Sequence, residues 1–280
     1  MKFSVCICVY DKDNALYFKE ALESVINQSL LPNQIVLVVD GAINSQLQKV
    51  IDDFNIKSQK LNVSFDITYL KENRGHGEAR KISILKAKYP LVALMDADDL
   101  SRYERFSKQI DAFKQNSNLS IVGGQIMEII HDTKKEVGIR SVPLRDKEIK
   151  EYLKTRCPFN QMTVMFKRED VLKVGNYIDF YHNEDYYLWV RMYLEGFEFL
   201  NLEDILVDVR INEEFYNRRG GVKYFLSEFR LQKIMYQSGI ISLWRFLFNS
   251  AVRLVLQVVL TDSMRGFIFK KLFRKKVKNG

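Results

Sequence analysis

Asp96-Ala97-Asp98-Asp99 gathers three carboxylates into four residues, directly after the apolar run Leu91–Met95. Carboxylates this close repel one another and raise each other's pKa values unless a cation joins them. A hard divalent ion, Mn²⁺ or Mg²⁺, removes the repulsion and can hold a phosphorylated ligand at the same time. The same residues also suit a turn and a helix cap. Ser101-Arg102-Tyr103-Glu104 reads as a capping box, so Ser101 is expected to cap the next helix, which leaves Asp96 and Asp98 without a structural task.

Three further stretches carry reactive types. Asp40-Gly41 closes the run "QIVLVVDGA"; a carboxylate there can accept a hydrogen bond from a base or ribose, or simply form an Asp-Gly turn. Tyr10-Asp11 ends the first apolar run in the same way. "ENRGHGEARK", Glu72–Lys81, sets Gly75 and Gly77 at an expected helix start with Arg80 one turn in. Helix N-termini and Arg both suit phosphate, although the spacing matches neither a dinucleotide fingerprint nor a Walker A loop. His76 reads as a loop residue. Glu184-Asp185, in "NEDYYLWVRM", reads by itself as an acidic first helical turn favoured by the helix dipole.

The elements that must position these residues follow from the pattern. Phe3–Val9, Gln34–Val39 and Leu91–Met95 are apolar without alternation, as strands covered on both faces are. Helical spacing occupies Asn14–Gln28 and Gly77–Lys88, with a strand at Ser64–Leu70 before the latter and a helix at Ser101–Gln115. The rhythm predicts an α/β fold with a mostly parallel sheet between helices. Ligands then bind beyond the carboxyl ends of the strands, where Tyr10, Asp40 and Asp96–Asp99 all fall. Ser120–Val142 reads as strands around a charged turn at His131–Glu136.

The chain has 280 residues, 47% of them hydrophobic and 28% charged, enough for one large globular unit and unlike a disordered chain. A net charge of +8 suits an anionic partner. The three cysteines, Cys6, Cys8 and Cys157, show no metal or disulfide spacing, and Cys6 and Cys8 should share a strand face. The N-terminal apolar run stops at an acidic turn, so it reads as a strand and not a signal peptide. A reduced cytoplasmic setting is the expectation.

In order along the chain stand a strand ending in Val9-Tyr10, "VVDG", "NRGHGEAR", "DADD" and "NEDYYLWVRM". Together these resemble family 2 inverting glycosyltransferases of the GT-A fold. "CPFNQMTVMFKR" (Cys157–Arg168) and "RRGG" (Arg218–Gly221) make the likeness strongest to bacterial enzymes that build O-antigen, capsule or exopolysaccharide repeat units. The resemblance covers Lys2 to Gly221. It implies a GT-A domain; composition alone sets its boundary, giving that domain 1–215 and a helical, basic region 216–280. It further implies that Asp40 contacts the uracil or ribose of a UDP-sugar, with Tyr10 near the base and Arg80 beside the nucleotide. Asp96 and Asp98 become a D-x-D pair, Asp98 the ligand of Mn²⁺ or Mg²⁺, and Asp185 the catalytic base, with Glu184 its neighbour. Arg218 is a candidate for the donor diphosphate; a solvated basic turn is the alternative. The Q-x-x-R-W signature of processive synthases is absent, which favours transfer of one sugar per acceptor.

Ile241–Leu260 is the most apolar stretch, yet Arg245, Asn249, Arg253 and Gln257 recur every four residues and form one helical stripe. Two Arg at membrane depth are costly, so an interfacial helix with that stripe in water is expected, or one packed on protein. Six basic residues between Lys270 and Lys278 could each add about 1 kcal/mol of attraction to anionic lipid. The expected partners are thus a nucleotide-sugar donor, a lipid-linked saccharide acceptor and an anionic membrane surface, with the protein peripheral at the inner face of the cytoplasmic membrane. Two other classes compete. A sugar nucleotidyltransferase would want a Gly-rich, Arg-containing loop after the first strand, where "VYDKDNAL" has no Gly. A nucleic-acid binder would explain the charge, but no such motif stands out.

Overall fold

Phe3, Val5, Ile7 and Val9 point into one hydrophobic core while Cys6 and Cys8 point to the opposite side of the same strand. That is why the first run shows no alternation: both faces are covered. The computed structural model describes residues 1–211 and 220–260. Arg218, the boundary expected between 215 and 216, and the basic cluster Lys270–Lys278 lie outside the described residues.

The first half runs β1 (Phe3–Val9), α1 (Ala15–Ile26), β2 (Gln34–Val39), α2 (Ser45–Lys60), β3 (Ser64–Tyr69), α3 (His76–Lys86) and β4 (Leu91–Met95). These strands lie side by side in the order 3-2-1-4, all parallel. Asn14 and Asn44 cap α1 and α2, each side-chain oxygen accepting two backbone N–H bonds.

The second half continues with β5 (Leu100–Ser101), α4 (Arg105–Gln115), β6 (Leu119–Ile130), β7 (Glu136–Arg140), α5 (Asp146–Leu153), β8 (Met165–Lys167), α6 (Arg168–Lys173), α7 (Glu184–Leu194) and β9 (Glu198–Ile211). Here the sheet is mixed. β8 is antiparallel to β4 and β6, β5 to β9 and β7 to β6, while β9 runs parallel to β6. The mostly parallel sheet of the sequence reading therefore describes the first half, β3-β2-β1-β4. Two helices follow, α8 (Val222–Gln237) and α9 (Leu243–Leu254), the latter running into a π-helical turn at Val255–Val259.

Two layers cover the sheet. One core packs α1, α2 and α4 through Phe18, Leu22, Leu47, Ile51, Phe106 and Phe113. The other packs α3, α5, α6 and α7 around Trp189, and takes Leu231 and Met235 of α8 into the same cluster.

Two expectations are corrected. Ser101 is not a helix cap: it pairs with Val207 in β5, and α4 begins only at Arg105. The capping pattern is overridden by a strand pairing with a segment about a hundred residues away. Apart from the partly exposed Arg245, the polar stripe of α9 is not in water either. Asn249 donates to the side chain of Gln232 and the carbonyl of Lys154 at 2.8 and 2.9 Å. Arg253 pairs with Glu228 and donates to the Thr155 carbonyl, and Gln257 is buried. Trp244, Phe248 and Val259, on the other faces, are 81%, 68% and 67% exposed. The helix is inside out because Asn249 and Arg253 find fixed partners on α8 and in the backbone at the end of α5. Among the described residues no helix is long and apolar enough to cross a membrane.

Candidate active site

The C-terminal ends of β1, β2 and β4 open into a cavity of about 510 Å³ lined by Tyr10, Asp13, Asp40, Asp96, Asp98 and Asp99. The parallel strands deliver these residues side by side, since Cys8 pairs with Val38 and Ile7 with Met95 just before the chain leaves the sheet. Tyr10 and Asp98 are exposed, while Asp40 and Asp99 are buried.

Each carboxylate is held differently. Asp40 accepts backbone N–H bonds from Arg74 at 2.7 Å and Gly75 at 2.9 Å, so it ties the glycine-rich loop to the end of β2. Gly41 makes that approach possible: it sits at φ +89°, and a Cβ there would lie 2.8 Å from the backbone nitrogen of Asn73. Asp96 forms an ion pair with buried Arg80. Burial works against its ionisation, but the Arg80 charge outweighs burial and holds the carboxyl below its usual range. Arg80 thus lies behind Asp96, beneath the cavity, rather than on its lining. Asp99 accepts from the Arg210 backbone N–H at 3.0 Å, and the Arg210 guanidinium donates to the Asp98 carbonyl. Asp96 and Asp99 therefore have structural work that the sequence reading did not give them. All three line the cavity, and Asp98 is the exposed member of the trio.

Asp13 and Arg210 escaped the sequence reading. Asp13 follows β1 and accepts from the Tyr10 backbone N–H at 2.9 Å. Burial, reinforced by Asp98 and Asp96, pushes its carboxyl up to about 7. Asp99 is raised by burial and by the same two neighbours. Only the phrase "DKDN" after an apolar strand could have flagged Asp13, and that phrase is common in turns. Arg210 lies near the end of β9, far from any motif, and pairs with Glu20 of α1. His76, expected in a loop, is the first residue of α3 and lines the cavity. The residue is exposed, yet desolvation at the cavity wall and the Arg80 charge lower its pKa to about 4, so it is neutral at pH 7.

A second cavity, about 740 Å³, adjoins the first; Met162 and His182 line both. Asp185 lines this second one, together with Arg140, Arg156 and Cys157. It stands in the first turn of α7, whose start is tied to α8 by a 3.1 Å bond from Asn183 to Ser227. Its Oδ1 accepts from the Tyr186 N–H at 2.7 Å. Glu184 packs instead against Gly77 of α3, where an added Cβ would lie 3.4 Å from the Glu184 Cγ. Gly77 therefore makes room for the junction of two helix starts, and burial with the neighbouring Asp185 raises the Glu184 pKa. Asp40, Asp96 and Asp98 share one cavity, and Asp185 faces the adjoining one.

Among the described residues, no three His, Cys, Asp or Glu side chains are grouped to cage a metal ion. The donor set still fits a hard divalent cation of the Mg²⁺ or Mn²⁺ kind. Such ions bind through one or two carboxylates and complete their shell with substrate phosphates and water. The crowding that raises Asp13 and Asp99 is what such an ion relieves.

The comparisons agree with this geometry. The pattern described as "Glycosyl transferase family 2" matches residues 4–175. A UDP-Gal:alpha-D-GlcNAc-diphosphoundecaprenol beta-1,3-galactosyltransferase of Escherichia coli is 34% identical over 274 residues, covering 98% of this chain and 97% of that one. The amylovoran biosynthesis glycosyltransferase AmsE of Erwinia amylovora is 32% identical over 243 residues, 85% of this chain and 88% of its own. Among solved structures, S. aureus TarS 1-349 in complex with UDP-GlcNAc superposes with a TM-score of 0.67 at 16% identity, over 96% of this chain and 79% of that chain. Of a longer TarS chain this protein spans 48%. The TarS likeness is one of fold, and it bears out the GT-A architecture.

Proposed function

Because the chain belongs to glycosyl transferase family 2, we propose that it moves one sugar from a nucleotide-diphosphate donor, a UDP-sugar, to a hydroxyl of a lipid-linked saccharide, with inversion. The observation that carries this reading is the pair of adjoining cavities, one rimmed by carboxylates at strand ends and the other holding Asp185. In this reading the nucleotide lies in the first cavity, with Tyr10 near the base and Asp40 near the ribose or uracil. Arg80 acts through Asp96, fixing its position and charge. The acceptor enters the second.

An acceptor hydroxyl is a weak nucleophile at neutral pH. Asp185 takes its proton as the oxygen attacks the anomeric carbon, and the nucleoside diphosphate departs from the opposite face, which inverts the centre. Asp98, with Asp13 beside it, would hold Mn²⁺ or Mg²⁺. Such an ion, when bound, neutralises charge developing on the departing diphosphate. His182 and Met162, between the cavities, stand where donor and acceptor sugars meet. Arg218 remains a proposed diphosphate contact from sequence alone. A place at the cytoplasmic face of a membrane follows from a lipid-linked acceptor, and the exposed apolar face of α9, rather than its polar stripe, would meet the lipid.

The test is a screen of UDP-sugars for hydrolysis and transfer, with Mn²⁺, Mg²⁺ or chelator. Transfer that needs the ion, and that is lost in Asp98→Ala and Asp185→Ala while the circular dichroism stays native, supports the assignment. Near-normal turnover by Asp185→Ala overturns the base; full activity in chelator overturns the metal.

A further inference from the structure

The second cavity changes character along its walls. Asp185 marks its catalytic end. Arg140, at the end of β7, and Arg156, in the loop after α5, are half-buried on its lining. Phe248, Val252 and Leu256 supply an apolar wall. These three are spaced by four residues, so they form a single row along α9 and the turn that follows it. The same row extends one turn back to Trp244, 81% exposed. An apolar track therefore runs from open surface into a cavity lined by three arginines, Arg140, Arg156 and Arg253, and two carboxylates, Asp185 and Glu228. Of these, Arg253 pairs with Glu228 and donates to the Thr155 carbonyl.

A chain of single-purpose contacts would not need this order. A purely polar sugar acceptor has no use for a four-residue apolar row, and a bare hydrocarbon has no use for two arginines. One ligand class uses all three regions at once: a saccharide joined to a long hydrocarbon through a diphosphate. Arginine forks match phosphate oxygens geometrically as well as electrostatically, and an aliphatic chain removes water from the exposed row.

Resting on the glycosyltransferase reading above, we propose that this cavity seats the acceptor's diphosphate between Arg140 and Arg156. Its hydrocarbon lies along Trp244, Phe248, Val252 and Leu256, and its terminal sugar hydroxyl reaches Asp185. The orientation of α9 is then functional. Its polar stripe anchors it to α5 and α8 so that its apolar row faces outward as a rail for lipid. The acceptor remains partly in the bilayer while its head is drawn into the cavity.

The binding can be measured without donor or turnover, so its outcome is independent of whether transfer is ever observed. The probes are undecyl diphosphate, methyl diphosphate and phosphatidylglycerol vesicles, each titrated into the full chain while tryptophan emission is followed. Trp244 lies on the proposed rail, whereas Trp189 is buried. Undecyl diphosphate is expected to bind saturably and at least about tenfold more tightly than methyl diphosphate. Arg156→Ala should weaken it by about tenfold or more, the loss expected for a charge-assisted bond, and Arg156→Lys should recover part of that loss. Phe248→Ser, at an exposed position, should weaken the undecyl probe but not the methyl one. Equal affinity for the two probes would overturn the proposal. So would dissociation constants unchanged in both Arg156→Ala and Phe248→Ser. Displacement of undecyl diphosphate by phosphatidylglycerol vesicles would also overturn it, by assigning the site to bulk anionic lipid. In a separate turnover assay, absence of transfer from every UDP-sugar by the wild-type chain would sink the glycosyltransferase reading and leave the binding result standing.

Discussion

The two adjoining cavities are built by opposite strategies. The first takes its carboxylates from the ends of neighbouring parallel strands, so residues within a few positions of an apolar run become its rim. The second is assembled from β7, the loop after α5, the start of α7 and the face of α9, segments separated by tens of residues. One concentrates negative charge; the other pairs arginines with an apolar wall. Strand ends of a parallel sheet suit a shared nucleotide chemistry. Elements joined by long connections can change independently, and so suit recognition of a particular acceptor. Specificity in such a fold is expected on the side where the walls come from unrelated parts of the chain.

The sharpest way to separate the two sides is Asp185→Asn. It removes the base and leaves the first cavity's residues in place, so transfer should fall by about 10²–10⁴-fold. Nucleotide affinity, measured by calorimetry, should change far less. A comparable loss of nucleotide affinity would show that the cavities are one energetic unit. On the carboxylate side, Arg80→Met leaves Asp96 half-buried beside other acids without its ion-pair partner. Breaking a buried pair by removing one member costs about 3–5 kcal/mol, which urea denaturation would report as a lower midpoint. A variant as stable as the wild type would mean that Asp96 is protonated or solvated once Arg80 is gone.

The same contrast explains what could be read from the sequence. β1, β2 and β4 were legible because buried parallel strands are continuous apolar runs, and Asp40, Asp98 and Tyr10 were legible because they stand at the ends of those runs. Asp185 was legible as a motif, though not as the occupant of a separate cavity. Arg140, Arg156 and Arg210 were not, since nothing local distinguishes them from other surface arginines. The stripe of α9 was legible as a stripe, but periodicity says which residues share a face, not which face meets the protein. That depended on Gln232, Glu228 and the carbonyls of Lys154 and Thr155, partners invisible to any local window. Ser101 failed for a related reason: pairing with Val207 competes with capping, and the competitor is remote.

A milder perturbation tests how the first cavity is shaped. Gly41→Ala forces a left-handed conformation on a residue with a Cβ and pushes that Cβ against the Asn73 backbone. A cost of about 1–3 kcal/mol is expected from the backbone conformation alone, seen as a lower thermal midpoint. Because the Asp40 bonds to Arg74 and Gly75 depend on the same approach, nucleotide affinity should fall with it. Stability lost with affinity intact would mean that the loop can dock without its close contact.

For Asp13 the sign of the pH dependence is fixed. Asp13 titrates near 7 when folded, against an ordinary value of 3.8, because burial and the charges of Asp98 and Asp96 oppose its ionisation. Between about pH 4 and 7 the folded chain therefore holds a proton that the unfolded chain has released. The Asp13 contribution to stability without ligand is greatest at the acid end of that window and declines as pH rises through it, with a slope no steeper than about 1.4 kcal/mol per pH unit, while His76, neutral when folded, contributes with the opposite sign between about pH 4 and 6.5. Asp13→Asn should flatten the decline. Added Mn²⁺ should flatten it too if the ion binds beside Asp98, since a cation favours the ionised form that burial disfavours. The second cavity supplies the control: Arg156→Ala removes no carboxylate from the first and should leave the Asp13 contribution to the slope unchanged. An Asp13→Asn curve with the same slope as the wild type would mean that Asp13 is solvated enough to ionise normally. The crowding of carboxylates that distinguishes the first cavity from the second would then be relieved by water instead of by a metal ion.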